Sequence, residues 1–199
     1  MFKEELIPLA PSQNQLRQDI RFLSRLLAEI ILSQEGEELL LKIEEIRTLA
    51  QEIRQNHNPL MIESQKKLIR SLSPDEACNI TRAFTIYFQL VNIAEEVQRI
   101  RRLRDYERSP EIFQEMSLKK LFKDLMDEDY SPKEILDFLN QCDIAPVLTA
   151  HPTEAKRRTV LDHLFFISGQ LIQLNRQDLT LAEQDSLTKR IKETMEILW

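Results

Sequence analysis

The sequence predicts a mainly α-helical protein with a single β-strand near residues 145–150. Three observations carry this prediction. Apolar residues recur at steps of three and four along most of the chain. Three capping boxes, in which Ser or Thr precedes Glu by three positions, mark helix starts. Only two of the 199 residues are glycine, Gly36 and Gly169, which disfavours β-hairpins and glycine-rich phosphate loops.

Charge and hydropathy exclude several classes of partner. The net charge is −6 with acids and bases interleaved, so no broad positive field attracts nucleic acid or an anionic membrane. The N-terminus lacks a basic region followed by an apolar core, and no apolar run has the length of a membrane span. We therefore expect a cytoplasmic protein without nucleic-acid or membrane partners. Cys78 and Cys142 are too far apart for a CxxC motif, and we expect reduced, structural thiols.

The first 56 residues predict a lead-in and two helices. Residues 1–11 contain two prolines and are expected to be poorly ordered. The first helix is predicted from one apolar stripe: Leu16, Ile20, Leu23, Leu27 and Ile30. It should end near Gly36, the residue type that a left-handed C-cap requires. A second helix follows at once, with Leu39 through Ile53 on its inner face, so the two helices should be antiparallel.

Proline and capping signals predict the next two helices. Asn58-Pro59 starts a third helix that runs to Leu72. Ser73-Pro74-Asp75-Glu76 is a capping box that starts a fourth helix, expected over residues 74–106. The predicted inner face of this long helix comprises Ala77, Ile80, Phe84, Tyr87, Phe88, Val91, Ala94, Val97, Gln98 and Arg101.

Five arginines cluster at the end of the fourth helix: Arg99, Arg101, Arg102, Arg104 and Arg108. They could form a phosphate or nucleic-acid site. They could instead offset the partial negative charge of the helix C-terminus and pair with nearby acids. The second interpretation is favoured, because no series of stacking aromatic residues interleaves with the arginines.

After two short helices, predicted over residues 118–126 and 132–142, the pattern changes. Residues 144–150 are too short for a helix and contain Pro146, so they predict a buried strand. Pro152 ends this strand. Thr153 can cap the next helix, which should begin at Glu154. Its predicted inner face comprises Val160, Leu161, Leu164, Ile167, Ser168 and Leu171. A capping box at Thr180 opens the last helix, whose inner face is predicted as Leu187, Ile191, Met195 and Leu198. One strand cannot satisfy its own edges, so the chain should hold only the beginning of a sheet.

The strand, turn and helix would place His151 at the carboxyl end of a strand, where α/β barrels and doubly wound sheets carry their chemistry. Imidazole there can act as base or acid near neutral pH. Arg157 and Arg158 could offer donors to a carboxylate or phosphate. Spacing alone leaves open a structural His-Pro turn with solvated arginines. A metal hydrolase using His151 and His163 is weaker, because no third ligand is nearby and His163 is expected to be structural.

Residues 147–159, Val147-Leu-Thr-Ala-His151-Pro-Thr-Glu-Ala-Lys-Arg-Arg-Thr159, resemble the histidine signature of phosphoenolpyruvate carboxylase. Other segments resemble further parts of that family, and together they cover essentially the whole chain. These segments are residues 16–27, 34–36, 46–50, 82–84, 90–96 and 197–199. No basic residue lies three positions before Ser12, which disfavours the phosphorylation switch of the plant enzymes and favours a bacterial type.

The resemblance implies an enzyme that joins phosphoenolpyruvate and bicarbonate into oxaloacetate and phosphate. It implies a largely helical molecule around an α/β barrel, with Mg²⁺ or Mn²⁺ and usually a homotetramer. Residues 1–143 would be an N-terminal helical scaffold, and residues 144–199 the start of the catalytic barrel. His151 would be the general base, and Arg157 and Arg158 are candidates for anion binding.

The same resemblance places the metal ligands and the other catalytic groups of the family beyond position 199. None of the matched positions is a metal ligand, and we expect the 199-residue chain alone to be inactive. The alternative is a non-catalytic, all-helical interaction module in which the His-Pro turn is structural.

Overall fold

The structure is a computed structural model that describes residues 11–56, 59–109, 113–143, 145–148, 156–176 and 178–199. Within these ranges the chain is mainly helical, as predicted. The helices are α1 Pro11–Glu35, α2 Glu37–Asn56, α3 Pro59–Ser71, α4 Pro74–Arg108, α5 Leu118–Asp127, α6 Pro132–Leu139, α7 Arg158–Leu174 and α8 Leu181–Leu198. None of the described helices is long and apolar enough to cross a membrane. The predicted lead-in falls largely on residues 1–10, outside the described part, and Pro11 already belongs to α1.

The chain divides into two compact units. The first unit comprises Met1–Gln98 and Arg157–Trp199, and it contains α1 to α3, most of α4, α7 and α8. The second unit comprises Arg99–Lys156, and it contains the end of α4, α5 and α6. The division predicted from sequence, with a scaffold over residues 1–143 and a barrel start from residue 144, stays a prediction.

The hydrophobic core of the first unit is built by α1, α2, α4, α7 and α8. Helix α1 packs against α2 and α8, α2 packs against α3, and α7 packs against α8 as a helical hairpin. The most deeply buried side chains are Leu23, Ile30, Leu90, Val97, Ile167, Leu171, Ile191 and Met195. Complete burial of one such aliphatic side chain is worth about 1.5–3 kcal/mol, so this core dominates the stability of the unit. The predicted inner faces of α7 and α8 are confirmed at Leu164, Ile167, Leu187 and Ile191.

The predicted helix ends are confirmed by their hydrogen bonds. Gly36 has φ of 87° and its N–H donates to the Leu32 carbonyl at 3.2 Å, the geometry of a left-handed C-cap. In each of the three capping boxes the backbone N–H of the cap residue donates to the carboxylate of the Glu three positions later. These bonds join Ser73 to Glu76 at 2.7 Å, Ser131 to Glu134 at 2.9 Å and Thr180 to Glu183 at 2.8 Å.

The predicted inner face of α4 is partly wrong. Ile80, Ala94 and Val97 are buried as expected, but Phe88 is 60% exposed. The buried face instead includes Ala83, Ile86, Leu90 and Ile93. Apolar residues occupy most of the circumference in the middle of this helix, so the sequence offers two overlapping stripes. Packing against the neighbouring helices decides between the two stripes.

The start of α7 is also corrected. The sequence predicted a helix from Glu154, whereas α7 begins at Arg158 and residues 156 and 157 are not helical. Arg157 is the N-cap, with extended backbone at φ −60° and ψ 139°. Its carbonyl accepts the first helical hydrogen bond, from the N–H of Leu161 at 3.2 Å. An extended residue at 157 is incompatible with a helix that continues from residue 154.

The predicted strand is not confirmed over its described part. Residues 145–148 are in neither helix nor strand, and Val147 and Leu148 are 80% and 97% exposed. A strand requires the backbone of a neighbouring strand to satisfy its N–H and C=O groups, and the described residues contain no strand. Residues 144, 149 and 150 lie outside the described part. Cys78 and Cys142 are both free thiols, as expected, and both are exposed.

Candidate functional site

The candidate site predicted from sequence is the His-Pro segment, defined as residues 147–158. His151 lies within residues 149–155, outside the described part of the chain, so its role stays a prediction. The structure describes the two ends of the segment. At the first end Val147 and Leu148 are exposed, and at the last end Lys156 and Arg157 lead into α7, which begins at Arg158.

Arg157 and Arg158 stand at the N-terminus of α7, and both are exposed. The Arg157 side chain makes no capping hydrogen bond. Neither guanidinium group forms an ion pair with any of the described residues. The first N–H groups of a helix have no intrahelical acceptor and carry partial positive charge. Both arginine side chains therefore lie at the end of α7 that carries partial positive charge, and their predicted role in anion binding stays a prediction.

Packing against the other helices of the first unit fixes the first turn of α7. Val160, two residues after Arg158, packs against the hydrophobic core. Val160 also lines a groove of about 610 Å³ together with Ile86 and Gln89 of α4 and Leu198 of α8. Because Leu164 and Ile167 are buried further along α7, the helix cannot rotate without exposing apolar surface. The position of Arg157 and Arg158 thus follows from the core of the first unit.

Arg82, which also lines this groove, makes a contact that the sequence analysis did not predict. The guanidinium carbon of Arg82 lies 5.7 Å from the centre of the Trp199 ring, within cation–π range. The indole Nε1–H of Trp199 donates to Glu35 Oε1 at 3.3 Å. Residues 82–84 and 197–199 were both singled out by family resemblance, and the structure brings them together. Local spacing could not predict this contact, because 117 positions separate Arg82 from Trp199. The only indication in the sequence was that both segments resemble the same family.

The described residues offer no metal site. No group of three His, Cys, Asp or Glu side chains among them is arranged to hold a metal ion. His163 lies half-buried on α7 beside the buried Leu164. The Mg²⁺ or Mn²⁺ implied by the family resemblance therefore does not fit the described residues, and no chemical step through a metal is derived from them.

Comparison with known proteins decides the family. A family model described as phosphoenolpyruvate carboxylase matches residues 16–199. The chain belongs to the phosphoenolpyruvate carboxylase family. The match includes the whole His-Pro segment and every described helix except the start of α1. The resemblance inferred from the motifs is confirmed.

Curated relatives in this family are named phosphoenolpyruvate carboxylase. The protein from Ectopseudomonas mendocina is 35% identical over 191 residues, which are 96% of this chain and 21% of the relative. The protein from Acinetobacter baumannii is 34% identical over 187 residues, covering 92% of this chain and 20% of the relative. The protein from Paraburkholderia xenovorans is 33% identical over 185 residues, covering 92% of this chain and 18% of the relative. The chain thus spans about a fifth of the length of these relatives.

Proposed function

We propose that this chain is the N-terminal part of a phosphoenolpyruvate carboxylase, which converts phosphoenolpyruvate and bicarbonate into oxaloacetate and phosphate. The observation that carries the proposal is the family match over residues 16–199, which includes the His-Pro segment. The exposed Arg157 and Arg158 at the start of a core-anchored α7 fit a site for anionic substrates.

In the proposed reaction, an oxygen of bicarbonate attacks the phosphorus of phosphoenolpyruvate. The bond from phosphorus to the enol oxygen breaks, which gives carboxyphosphate and the enolate of pyruvate. His151 then accepts the proton of carboxyphosphate as it breaks into carbon dioxide and phosphate. The enolate captures the carbon dioxide and becomes oxaloacetate. A neutral imidazole near pH 7 suits this step, and a positioned general base contributes about two to four orders of magnitude in rate.

Arg157 and Arg158 are proposed to hold anionic groups near His151. A guanidinium group offers a planar fork of N–H donors that matches phosphate and carboxylate oxygens. Both side chains lie at the N-terminus of α7, and neither has an ion-pair partner among the described residues.

The proposal extends to the complete enzyme. Mg²⁺ or Mn²⁺ would be bound outside the described residues and would act as a Lewis acid. The complete enzyme would be a cytoplasmic homotetramer without nucleic-acid or membrane partners, with residues 145–150 forming the first barrel strand.

A chimera tests the proposed activity. Residues 16–199 would replace the matching segment of the Ectopseudomonas mendocina relative, and oxaloacetate formation would be followed with malate dehydrogenase and NADH. We expect turnover that requires both phosphoenolpyruvate and bicarbonate. A folded chimera that forms no oxaloacetate would contradict the proposal. The 199-residue chain alone should show no turnover, because about four fifths of each relative has no counterpart in it.

A helical interaction module is the second candidate, and the exposed apolar side chains of the second unit favour it. Helices α5 and α6 contain no buried residue, and Leu118, Leu136 and Phe138 are 69%, 58% and 65% exposed. Such surfaces are typical of contacts with another chain or domain. The chimera distinguishes the two functions, because a module without catalytic residues would not support carboxylation.

A further inference from the structure

The arginine cluster at the end of α4 contains a pocket that the proposed carboxylation does not use. Arg99, Arg102, Leu103 and Tyr106 are spaced so that they share one face of the helix. Together with Gln114 and Glu115 they line a cavity of about 180 Å³ within the second unit. It is an open surface pocket, at which Arg99, Arg102 and Leu103 are exposed, and its size suits a small ligand better than a polymer.

A turn before α5 holds Gln114 and Glu115 at the cavity. The N–H of Ser117 donates to the Gln114 carbonyl at 3.1 Å and closes a β-turn, whose third residue, Met116, has φ of 61°. Ser117 then caps α5 by accepting from the N–H of Lys120 at 3.2 Å. The Lys123 ammonium group lies 5.1 Å from the ring centre of Phe113, which ties the preceding residue to α5 as well. The wall opposite α4 is therefore ordered by local contacts.

Two of the arginines at the cavity have no carboxylate partner among the described residues. Arg99 and Arg102 form no ion pair and no hydrogen bond with any described side chain, whereas Arg108 pairs with Asp105 at 3.8 Å. The sequence favoured charge offset at the helix end for all five arginines. That interpretation fits Arg108, but Arg99 and Arg102 face a cavity. Tyr106 and Gln114 also line the cavity, and their side chains carry a hydroxyl and an amide that can donate hydrogen bonds.

We propose that this cavity, the Arg99–Arg102 pocket, binds the dianionic phosphoryl group of a small molecule. Two guanidinium groups balance a charge of −2, and their forked donors together with the hydroxyl and amide suit the oxygens of a phosphoryl group. Glu115 lines the same cavity and repels part of this charge, which disfavours larger polyanions such as nucleic acid. The pocket belongs to the second unit and is independent of the proposed role of His151.

The experiment uses the full 199-residue chain and two probes, inorganic phosphate and glycerol phosphate. The Nε–Hε signals of the arginines are followed by ¹H–¹⁵N NMR, with sodium chloride at equal ionic strength as the salt control. We expect saturable shifts of the Arg99 and Arg102 signals at about 10 mM probe, a concentration suited to a weak small-ligand site. Binding of phosphate alone would assign the pocket to the free ion, and binding of both probes to a phosphoryl group in general.

Matched variants distinguish binding in the pocket from general attraction by surface charge. Arg99→Gln with Arg102→Gln should weaken phosphate binding at least about tenfold, because both forked donors are lost. Arg104→Gln with Arg108→Gln removes the same charge from the same helix outside the cavity, and it should change affinity less than about twofold. Glu115→Gln should tighten binding about fourfold, since one repulsive charge is removed.

Three results would overturn the proposal. The first is an equal loss of affinity in both double arginine variants, which indicates unspecific attraction by surface charge. The second is an unchanged affinity in the Glu115→Gln variant. The third is the absence of a saturable shift at Arg99 and Arg102 with either probe.

Discussion

At the scale of single residues, Glu76 joins two elements through one carboxylate. Its side chain accepts from the Lys42 ammonium group of α2 and from the Ser73 N–H that starts α4. The hydrogen bond from Lys42 is the main cause that lowers the pKa of Glu76 to about 2, with the Ser73 bonds next. The hydrogen bonds that Lys42 donates to Glu38 and then to Glu76 raise the pKa of Lys42 to about 12. The capping box could be predicted from the four adjacent residues 73–76. The contact of Glu76 with Lys42, 34 positions earlier, could not be predicted from local sequence.

These pKa shifts predict how stability depends on pH. The pKa of Glu76 is lower in the folded chain than its ordinary value of 4.5, so the folded state binds fewer protons there. The stabilisation is therefore present above about pH 4.5 and is lost as pH falls towards about pH 2. We expect Glu76→Gln to lower the urea midpoint at neutral pH, with a difference that shrinks on acidification through this window.

Glutamine keeps the oxygen that accepts the Ser73 N–H, so Glu76→Gln removes mainly the charge. Glu38→Gln is the matched control, because it removes the other, largely exposed carboxylate on Lys42 and should cost less stability. If the difference in urea midpoint between Glu76→Gln and the parent chain stays constant from neutral to acid pH, the low pKa of Glu76 in the folded state is contradicted.

At the scale of elements, the helical hairpin of α7 and α8 carries much of the core. Ile191 of α8 is 0% exposed and belongs to the core cluster. We expect Ile191→Ala to lower the free energy of unfolding by about 2–5 kcal/mol, through lost apolar burial and the cavity left behind. Ile197→Ala on the same helix, at a side chain that is 68% exposed, should cost less than about 0.5 kcal/mol. Equal losses in urea denaturation would show that α8 does not pack by this face.

The hairpin also shows which helices a sequence can predict. In α7 and α8 the buried residues recur at helical spacing, so Leu164, Ile167 and Ile191 could be assigned to the core in advance. The exposed Phe165 and Phe166 of α7 lie outside this buried face. In α4 the apolar residues surround the helix, so periodicity did not decide between Phe88 and Leu90. That choice depends on which neighbours pack against α4, and neighbours far along the chain are not visible in local spacing.

At the scale of the whole molecule, the family was predicted by resemblance and not by local physics. The spacing around His151 did not decide between a structural turn and a base, and the match to the family model over residues 16–199 identified the family. The strand expected over residues 144–150 requires partners from a sheet, and the described residues supply none. The Arg82–Trp199 contact and the Arg99–Arg102 pocket both depend on tertiary packing, so the sequence could name their residues but not their neighbours.

The most direct test of the account is the substitution His151→Asn in the active chimera with the Ectopseudomonas mendocina relative. We predict that oxaloacetate formation falls by about two to four orders of magnitude, the contribution of a positioned general base. His163→Asn is the control, since this half-buried histidine of α7 has no proposed role in the chemistry and should leave the rate near that of the unsubstituted chimera. An unchanged rate of oxaloacetate formation in the folded His151→Asn chimera would contradict the central claim that His151 is the base.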